Sequence, residues 1–323
     1  MTDRFGRTID YMRVSVTDRC NLRCKYCMPH GVRLARHCDL LTYEELLRVC
    51  RTAVGLGIVK YKLTGGEPLL RRDFAEFAAR IKGINGVEQV TLTTNGLLLV
   101  PQLDALCSAG LDGVNISLDT LRNEKYKNVT GTDGVRAETV RQAVELCARR
   151  GLRVKVNAVL LAETLGDIVP LASLARQLPV DVRFIELMPI GEGAAVQGVS
   201  AELALNLLRR QWPDLAPTAE KRGNGPARYY ASRELTGRIG LISAISHRFC
   251  ASCNRVRLTS TGLLKPCLCY DTAEDLRTLL RGGASDSELE AAIRKTIEKK
   301  PQAHCFSRMQ DVTEHRSMSQ IGG

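Results

Sequence analysis

The stretch Cys20-Asn21-Leu22-Arg23-Cys24-Lys25-Tyr26-Cys27 places three thiols within eight residues. Three thiolates can hold three irons of a four-iron cluster and leave the fourth iron without a protein ligand. A fully ligated cluster moves electrons, whereas an open iron can bind a small molecule and act on it. The triplet therefore points to catalysis. The competing assignments are a zinc site, which ordinarily takes four ligands, and disulfides, which would leave one thiol over.

The flanking residues set this loop in a repeating chain. Runs rich in β-branched residues recur at 11–17, 61–64, 89–94, 113–118, 153–160 and 181–188, with helical patterns between them. The first helix opens with the capping box Thr42-Tyr43-Glu44-Glu45 and turns Leu46, Leu47, Cys50 and Val54 to one side. Further helices are expected at 73–82, 102–109, 135–150 and 167–177. Strand and helix alternating every ~25–35 residues imply parallel strands joined by right-handed crossovers. The fold class is therefore α/β, an open, partial TIM-like barrel of about six βα units. Alternation stops after Met188, at Gly191, Gly193, Gly198 and Gly223-Asn224-Gly225-Pro226. Residues 1–190 are expected to form the barrel, and a smaller C-terminal region, 191–323, to cover its open side.

Unusual residues gather at the carboxyl ends of these strands, where barrels of this type carry out their chemistry. The cysteine loop follows the first strand. Thr64-Gly65-Gly66-Glu67-Pro68 ends the second, Thr93-Thr94-Asn95-Gly96 the third, Asn115-Ile116-Ser117-Leu118-Asp119 the fourth and Glu186-Leu187-Met188-Pro189 the sixth. Each glycine motif alone reads as a turn. Together on one rim they read as a site, where glycine would let the backbone approach a bound amino acid moiety.

Lys plus Arg number 46 against 35 Asp plus Glu, giving +11 and a pI near 9.2. That balance suggests a polyphosphate or a nucleic acid as partner. Aromatics make up 5% of the chain and do not alternate with basic residues, which weighs against nucleic acid. No apolar run of ~18 residues and no signal-like start occur, so a cytoplasmic protein without membrane contact is expected. Twelve cysteines suit that reducing compartment. Cys50, Cys107 and Cys147 fall on apolar helical stripes and read as core. Cys38 and Cys305 lie in polar surroundings and receive no role.

A second group, Cys250-Ala251-Ser252-Cys253-Asn254-Arg255-Val256-Arg257 with Cys267, offers three more thiolates in the spacing C-x2-C-x13-C. These could hold another cluster with an open iron. With Cys269 as a fourth thiolate, the same segment would equally accept a structural zinc. Arg255 and Arg257 would share one face of an extended segment and could meet phosphates or a base carbonyl.

Through nearly its full length the chain resembles the GTP 3′,8-cyclases of molybdenum cofactor biosynthesis, within the radical S-adenosylmethionine (SAM) superfamily. The resemblance rests on Phe5-Gly6-Arg7, Ser15 to Cys20, the cysteine triplet, Leu63 to Pro68, Arg183 to Met188, Phe249 to Arg255 and the closing Gly322-Gly323. It implies a SAM-binding [4Fe-4S] cluster on Cys20, Cys24 and Cys27, and a second [4Fe-4S] cluster on Cys250, Cys253 and Cys267 that holds the guanine of GTP. It further implies SAM contacts from Tyr26, Gly66, Ser117 and Met188, and GTP contacts from Arg13, Lys62, Thr93, Lys155, Arg255, Val256 and Arg257. The implied reaction is a lyase-type cyclisation of GTP to 3′,8-cyclo-7,8-dihydro-GTP, begun by abstraction of the ribose C3′ hydrogen, with no acid–base dyad. A low-potential electron donor, a downstream cyclic pyranopterin monophosphate synthase and a homodimer are the implied partners. Gly322-Gly323, which by composition alone is a frayed end, is implied to reach the active site. Two departures stand out: Lys62 replaces the usual arginine, giving a point charge in place of a bidentate fork, and Cys269 is an additional thiol, expected not to bind iron. The rival readings are a peptide-modifying radical enzyme with an auxiliary cluster, and a zinc protein that binds nucleic acid.

Overall fold

The computed structural model describes residues 1–220 and 222–323, the side chain of Met309 excepted. Six strands, β1 (Tyr11–Ser15), β2 (Lys60–Thr64), β3 (Gln89–Thr94), β4 (Gly113–Ser117), β5 (Val154–Leu160) and β6 (Asp181–Glu186), lie parallel in chain order. Helices α1 (Tyr43–Gly55), α2 (Phe74–Lys82), α3 (Leu99–Ser108), α4 (Asn123–Thr130) and α5 (Ala137–Arg149) fill the crossovers. β5 shows why the layers separate. Val154, Val156, Ala158 and Leu160 alternate inward to the helix side and are buried, which leaves Lys155 and Asn157 on the opposite face. The capping box of α1 forms as read, with Thr42 accepting from the Glu45 amide and Glu45 accepting from the Thr42 amide.

Two helical expectations are revised. The pattern at 167–177 breaks into α6 (Ile168–Ala172) and α7 (Leu174–Gln177), separated at Ser173, whose hydroxyl donates back to the Val169 carbonyl at 3.0 Å. Helix α4 was not expected, because its polar sequence buries only Tyr126, Val129 and Thr130.

Beyond α8 (Ala201–Gln211) come β7 (Ala216–Thr218), β8 (Arg228–Ala231), β9 (Ile239–Ile242), β10 (Arg255–Leu258), β11 (Leu263–Lys265) and β12 (Glu274–Asp275), then α9 (Leu276–Arg281) and α10 (Asp286–Glu298). These strands join the same sheet. β9 pairs in parallel with β6, and β10 in parallel with β1, giving the order β12-β11-β10-β1-β2-β3-β4-β5-β6-β9-β8-β7. The two outermost strands do not pair, so the barrel is open, as the repeat pattern indicates. Both bare edges of the six-stranded unit are thus satisfied by late parts of the chain.

Cys50 and Cys147 are core, and Cys107 is half-buried against it. Cys305 is not in polar surroundings. It is buried in a small apolar cluster with Ile190, Leu268, Cys269, Phe306, Val312 and Ile321, because the tail folds back over the loop after β11. Among the described residues no helix is long and apolar enough to cross a membrane.

Candidate active site

The cysteine triplet leaves the carboxyl end of β1 as a loop whose backbone is tied to the neighbouring strand ends. Val16 N–H donates to Thr64, Gly66 N–H to Thr17 and Glu67 N–H to Arg19, at 2.9, 2.7 and 2.7 Å. This close pairing explains Gly65-Gly66. A Cβ on Gly65 would lie 2.6 Å from the Thr17 carbonyl oxygen, and one on Gly66 would lie 2.3 Å from that of Arg19. The glycines are therefore required first by chain-on-chain approach. A Gly66→Ala substitution is expected to push the cysteine loop off β2 and destabilise the fold by about 1–3 kcal/mol, read by calorimetry, because neither contact is with a side chain that could swing away.

Glu67, fully buried, locks the same loop. Its Oε1 accepts from Leu69 N–H and the Thr94 hydroxyl at 3.0 and 2.8 Å, and its Oε2 accepts from Asn95 N–H at 2.7 Å. Asn95 in turn donates to Asn21 Oδ1 at 2.7 Å. Burial pushes Glu67 up to about 7 against those three donors. On the other side the Tyr26 hydroxyl donates to Asp119 Oδ2 at 2.7 Å, while Val159 N–H donates to Asp119 Oδ1 at 2.7 Å.

Cys20, Cys24 and Cys27 line one cavity of about 370 Å³. Burial and then mutual repulsion raise the Cys24 thiol well above its ordinary range, and burial pushes Cys27 up to about 12. Crowded thiols of this kind become thiolates when a soft cation takes them. The loop thus fits an iron–sulfur cluster.

Cys250, Cys253 and Cys267 line the same cavity from the far side. Arg7 buttresses their loop, donating to the carbonyls of Cys250, Gln302 and Pro301 at 2.8, 3.0 and 2.7 Å. That geometry accounts for Arg7 in the Phe5-Gly6-Arg7 motif. Lys300, 2% exposed, donates to the carbonyls of Arg255 and Pro266 at 2.7 and 2.6 Å, so one ammonium joins the backbones that carry Cys253 and Cys267. Despite burial, the charges of Arg255 and Lys300 hold Cys253 down to about 7. Cys269 does not line the cavity; its Sγ lies 3.1 Å from Cys305 Sγ. The four-thiolate zinc set is therefore not assembled, and among the described residues no three His, Cys, Asp or Glu side chains converge on a single ion. A four-iron cluster, whose thiolates each bind a different iron, asks for wider spacing.

Between the two thiol groups runs a basic floor. Arg257, Arg13 and Lys62 occupy one register row across β10, β1 and β2, so their side chains leave the same face. Lys155, Arg183 and Arg255 complete the lining. Arg183 donates to Asn157 Oδ1 at 2.9 and 2.6 Å, and Gly240 beside it leaves room for its stem, 2.8 Å from where a Cβ would stand. Among the described residues none of these six cations pairs with an Asp or Glu side chain. Burial, reinforced by neighbouring cations, depresses Arg13 to about 10, Lys155 to about 8 and Lys62 well below the usual lysine range. Such a site is poised to take up a polyanion.

Tyr26, Gly66, Thr93, Ser117, Met188 and Gly323 also line the cavity. Val256 does not: strand alternation buries its side chain in the core, so any contact it makes with a ligand is through its backbone. Gly322 and Gly323 are ordered against Ser15, Thr64 and Gly65, and their carbonyls accept from Arg13 and from Arg257, the latter at 3.5 and 3.3 Å. Sequence reading set Asp119 in a rim motif and Arg183 in a family motif without giving either a role, and did not single out Lys300. For Arg183 the signal was its alternation parity within β6; for Lys300, after α10, there was none.

The sequence of residues 14–175 matches the Radical SAM superfamily, and that of residues 180–306 matches Molybdenum Cofactor Synthesis C. In fold the chain is similar to SuiB of Streptococcus suis bound to S-adenosylmethionine (TM-score 0.66, 14% identity, 98% of this chain and 77% of that one). It is likewise similar to anSMEcpe with bound AdoMet (TM-score 0.60, 16% identity, 94% and 82%). The open parallel barrel and its cysteine loop are those of a radical SAM enzyme. The GTP 3′,8-cyclases of Heliobacterium modesticaldum and Clostridium perfringens are 46% and 42% identical over 100% of this chain and of their own. The chain belongs to the GTP 3′,8-cyclase family.

Proposed function

We propose that the protein is a lyase that cyclises GTP to 3′,8-cyclo-7,8-dihydro-GTP, the first step of molybdenum cofactor biosynthesis, using two [4Fe-4S] clusters and SAM. The observation that carries this reading is a row of cations, Arg257 buried and Arg13 and Lys62 half-buried, without Asp or Glu partners and set between two three-cysteine groups that line one cavity. When bound, the first cluster and SAM would supply the radical chemistry that joins ribose C3′ to guanine C8, with the low-potential donor providing the electrons that balance it.

The chain's own work is binding, orientation and exclusion of water. Cys20, Cys24 and Cys27 hold the first cluster, and Cys250, Cys253 and Cys267 the second. Tyr26, Gly66, Ser117 and Met188 surround SAM. Arg13, Lys62, Thr93, Lys155, Arg255 and Arg257 take the triphosphate and ribose, with Val256 contributing backbone. Lys62 gives a point charge at its place in the row. Residues 1–190 carry the SAM half of the site and residues 191–323 the substrate cluster. With this activity come a low-potential electron donor, a downstream cyclic pyranopterin monophosphate synthase, a homodimer and a cytoplasmic setting.

Removing Gly322-Gly323 withdraws two carbonyls from Arg13 and Arg257 without touching the core. Turnover is expected to fall about 10²-fold, by analogy with other losses of a positioning contact, while the thermal midpoint stays within about 1 °C. Full activity of the truncated chain would remove the tail from the site.

The deciding experiment is anaerobic. The reconstituted, reduced protein is given SAM with and without GTP, and 5′-deoxyadenosine is quantified by mass spectrometry. GTP-dependent formation together with a product of GTP mass is the expected result. Formation indifferent to GTP would keep the radical chemistry and reassign the substrate.

A further inference from the structure

Two thiols outside both three-cysteine groups face one another. Cys269 Sγ and Cys305 Sγ are 3.1 Å apart, both are buried, and they belong to elements 36 residues apart in the chain. A disulfide sets its sulfurs at about 2.05 Å, so closure asks for a shift of only about an ångström. Neither sulfur lines the cavity. Hydrogen bonds already align the pair: Cys305 N–H donates to Cys269 Sγ at 3.4 Å, and Cys305 Sγ–H donates to the Asp311 carbonyl at 3.0 Å. The surroundings are the apolar side chains of Ile190, Leu268, Phe306, Val312 and Ile321.

We propose that Cys269 and Cys305 are a redox modification site, a dithiol that closes to a disulfide and fastens the root of the tail to the loop carrying Cys267. The oxidant is a low-molecular-weight disulfide such as oxidised glutathione. One cysteine attacks it, releasing one glutathione thiol and forming a mixed disulfide. The second cysteine then displaces the other glutathione. Overall two S–H bonds break, one S–S bond forms, and the two protons and two electrons leave in two glutathione thiols. Because both sulfurs are buried, attack proceeds through local opening of the 305–311 turn, with loss of the Cys305–Asp311 hydrogen bond. The closed form ties the approach to Gly322-Gly323 covalently, which keeps the tail in place under oxidising conditions.

The test uses the full reconstituted chain, held anaerobically in graded mixtures of oxidised and reduced glutathione, then acid-quenched, alkylated, digested and analysed by mass spectrometry. The expected result is a peptide linking Cys269 to Cys305, two hydrogens lighter than its reduced parts, at ratios where Cys50 and Cys147 are still fully alkylated. The thermal midpoint should rise by a few degrees with the link and return on reduction. Cys305→Ser, and separately Cys269→Ala, should abolish the link and the shift and leave basal turnover unchanged. Full alkylation of both cysteines at every ratio, or linkage of either to Cys250, Cys253 or Cys267 instead, would overturn the proposal. GTP dependence of 5′-deoxyadenosine formation, measured on the same samples, reports on the cyclase reading separately.

Discussion

A Cys24→Ala chain, reconstituted anaerobically, is expected to form no 5′-deoxyadenosine and to hold about four fewer irons than the parent. Cys24 is one of three thiols on a loop fixed by Glu67, Asn95 and the Gly65-Gly66 pairing, and nothing on that loop can replace it. The reactive chemistry belongs to the bound cofactor, so the loss should reach at least ~10⁶-fold in turnover, the lower range of enzymic acceleration. Stability of the metal-free protein should barely change, because the side chain is half-buried and lines a cavity. Cys50→Ala gives the opposite pattern. That thiol lies on the buried face of α1 in the core, so iron and turnover persist while the thermal midpoint drops. Iron retained with undiminished 5′-deoxyadenosine in Cys24→Ala would refute the assignment of this loop as the cluster site.

Glu314→Ala should be the most damaging single change outside the cavity. Lys265 and Glu314 form a salt bridge at 2.6 Å with side chains 0% and 1% exposed, and Glu314 also accepts from Arg316 at 3.0 and 3.1 Å. Removing the carboxylate strands the Lys265 ammonium in the interior. Breaking a buried pair in this way costs about 3–5 kcal/mol, measurable by urea unfolding. Glu314→Gln keeps the shape and one acceptor and should cost less. Burial alone would raise the Glu314 carboxyl, but Arg316 and Lys265 hold it below its ordinary value of 4.5. A depressed carboxylate contributes stability that is present above that value and is lost as pH falls through the lower folded one. The acid limb of the stability curve should therefore be shallower in Glu314→Ala. Because this pair clamps the tail against β11, the variant should also lose turnover, even at temperatures where it stays folded.

The six parallel strands were legible because each alternates on a short, β-branched run: β3 falls on the expected residues, and the other five differ by one or two at their ends. The cysteine groups were legible because thiolate spacing is local. What escaped was non-local. Arg183 is read as a site residue only once β5 and β6 pair and set it beside Asn157. Lys300 acts through two carbonyls, of Arg255 and Pro266, that no pattern connects to it. Cys305 looked polar because His304, Ser307 and Arg308 flank it in sequence; apart from the adjacent Phe306, the apolar residues around it are the distant Ile190, Leu268, Val312 and Ile321. Helix α4 went unread because three buried residues leave too narrow a stripe.

The placement of β10 beside β1 and of β9 beside β6 bears on how this chain comes into being. During synthesis the first strand must wait for residue 255, some 240 positions later, before its outer edge is covered, and β6 must wait for residue 239. Until then the nascent sheet presents two unprotected parallel edges, the geometry most inclined to pair with a neighbouring chain. Closing loops this long makes the last docking step slow. A fragment ending near residue 190 would hold that vulnerable intermediate permanently and should collect in aggregates. Assembly of the sheet therefore draws on both sides of the seam visible in the sequence after Met188.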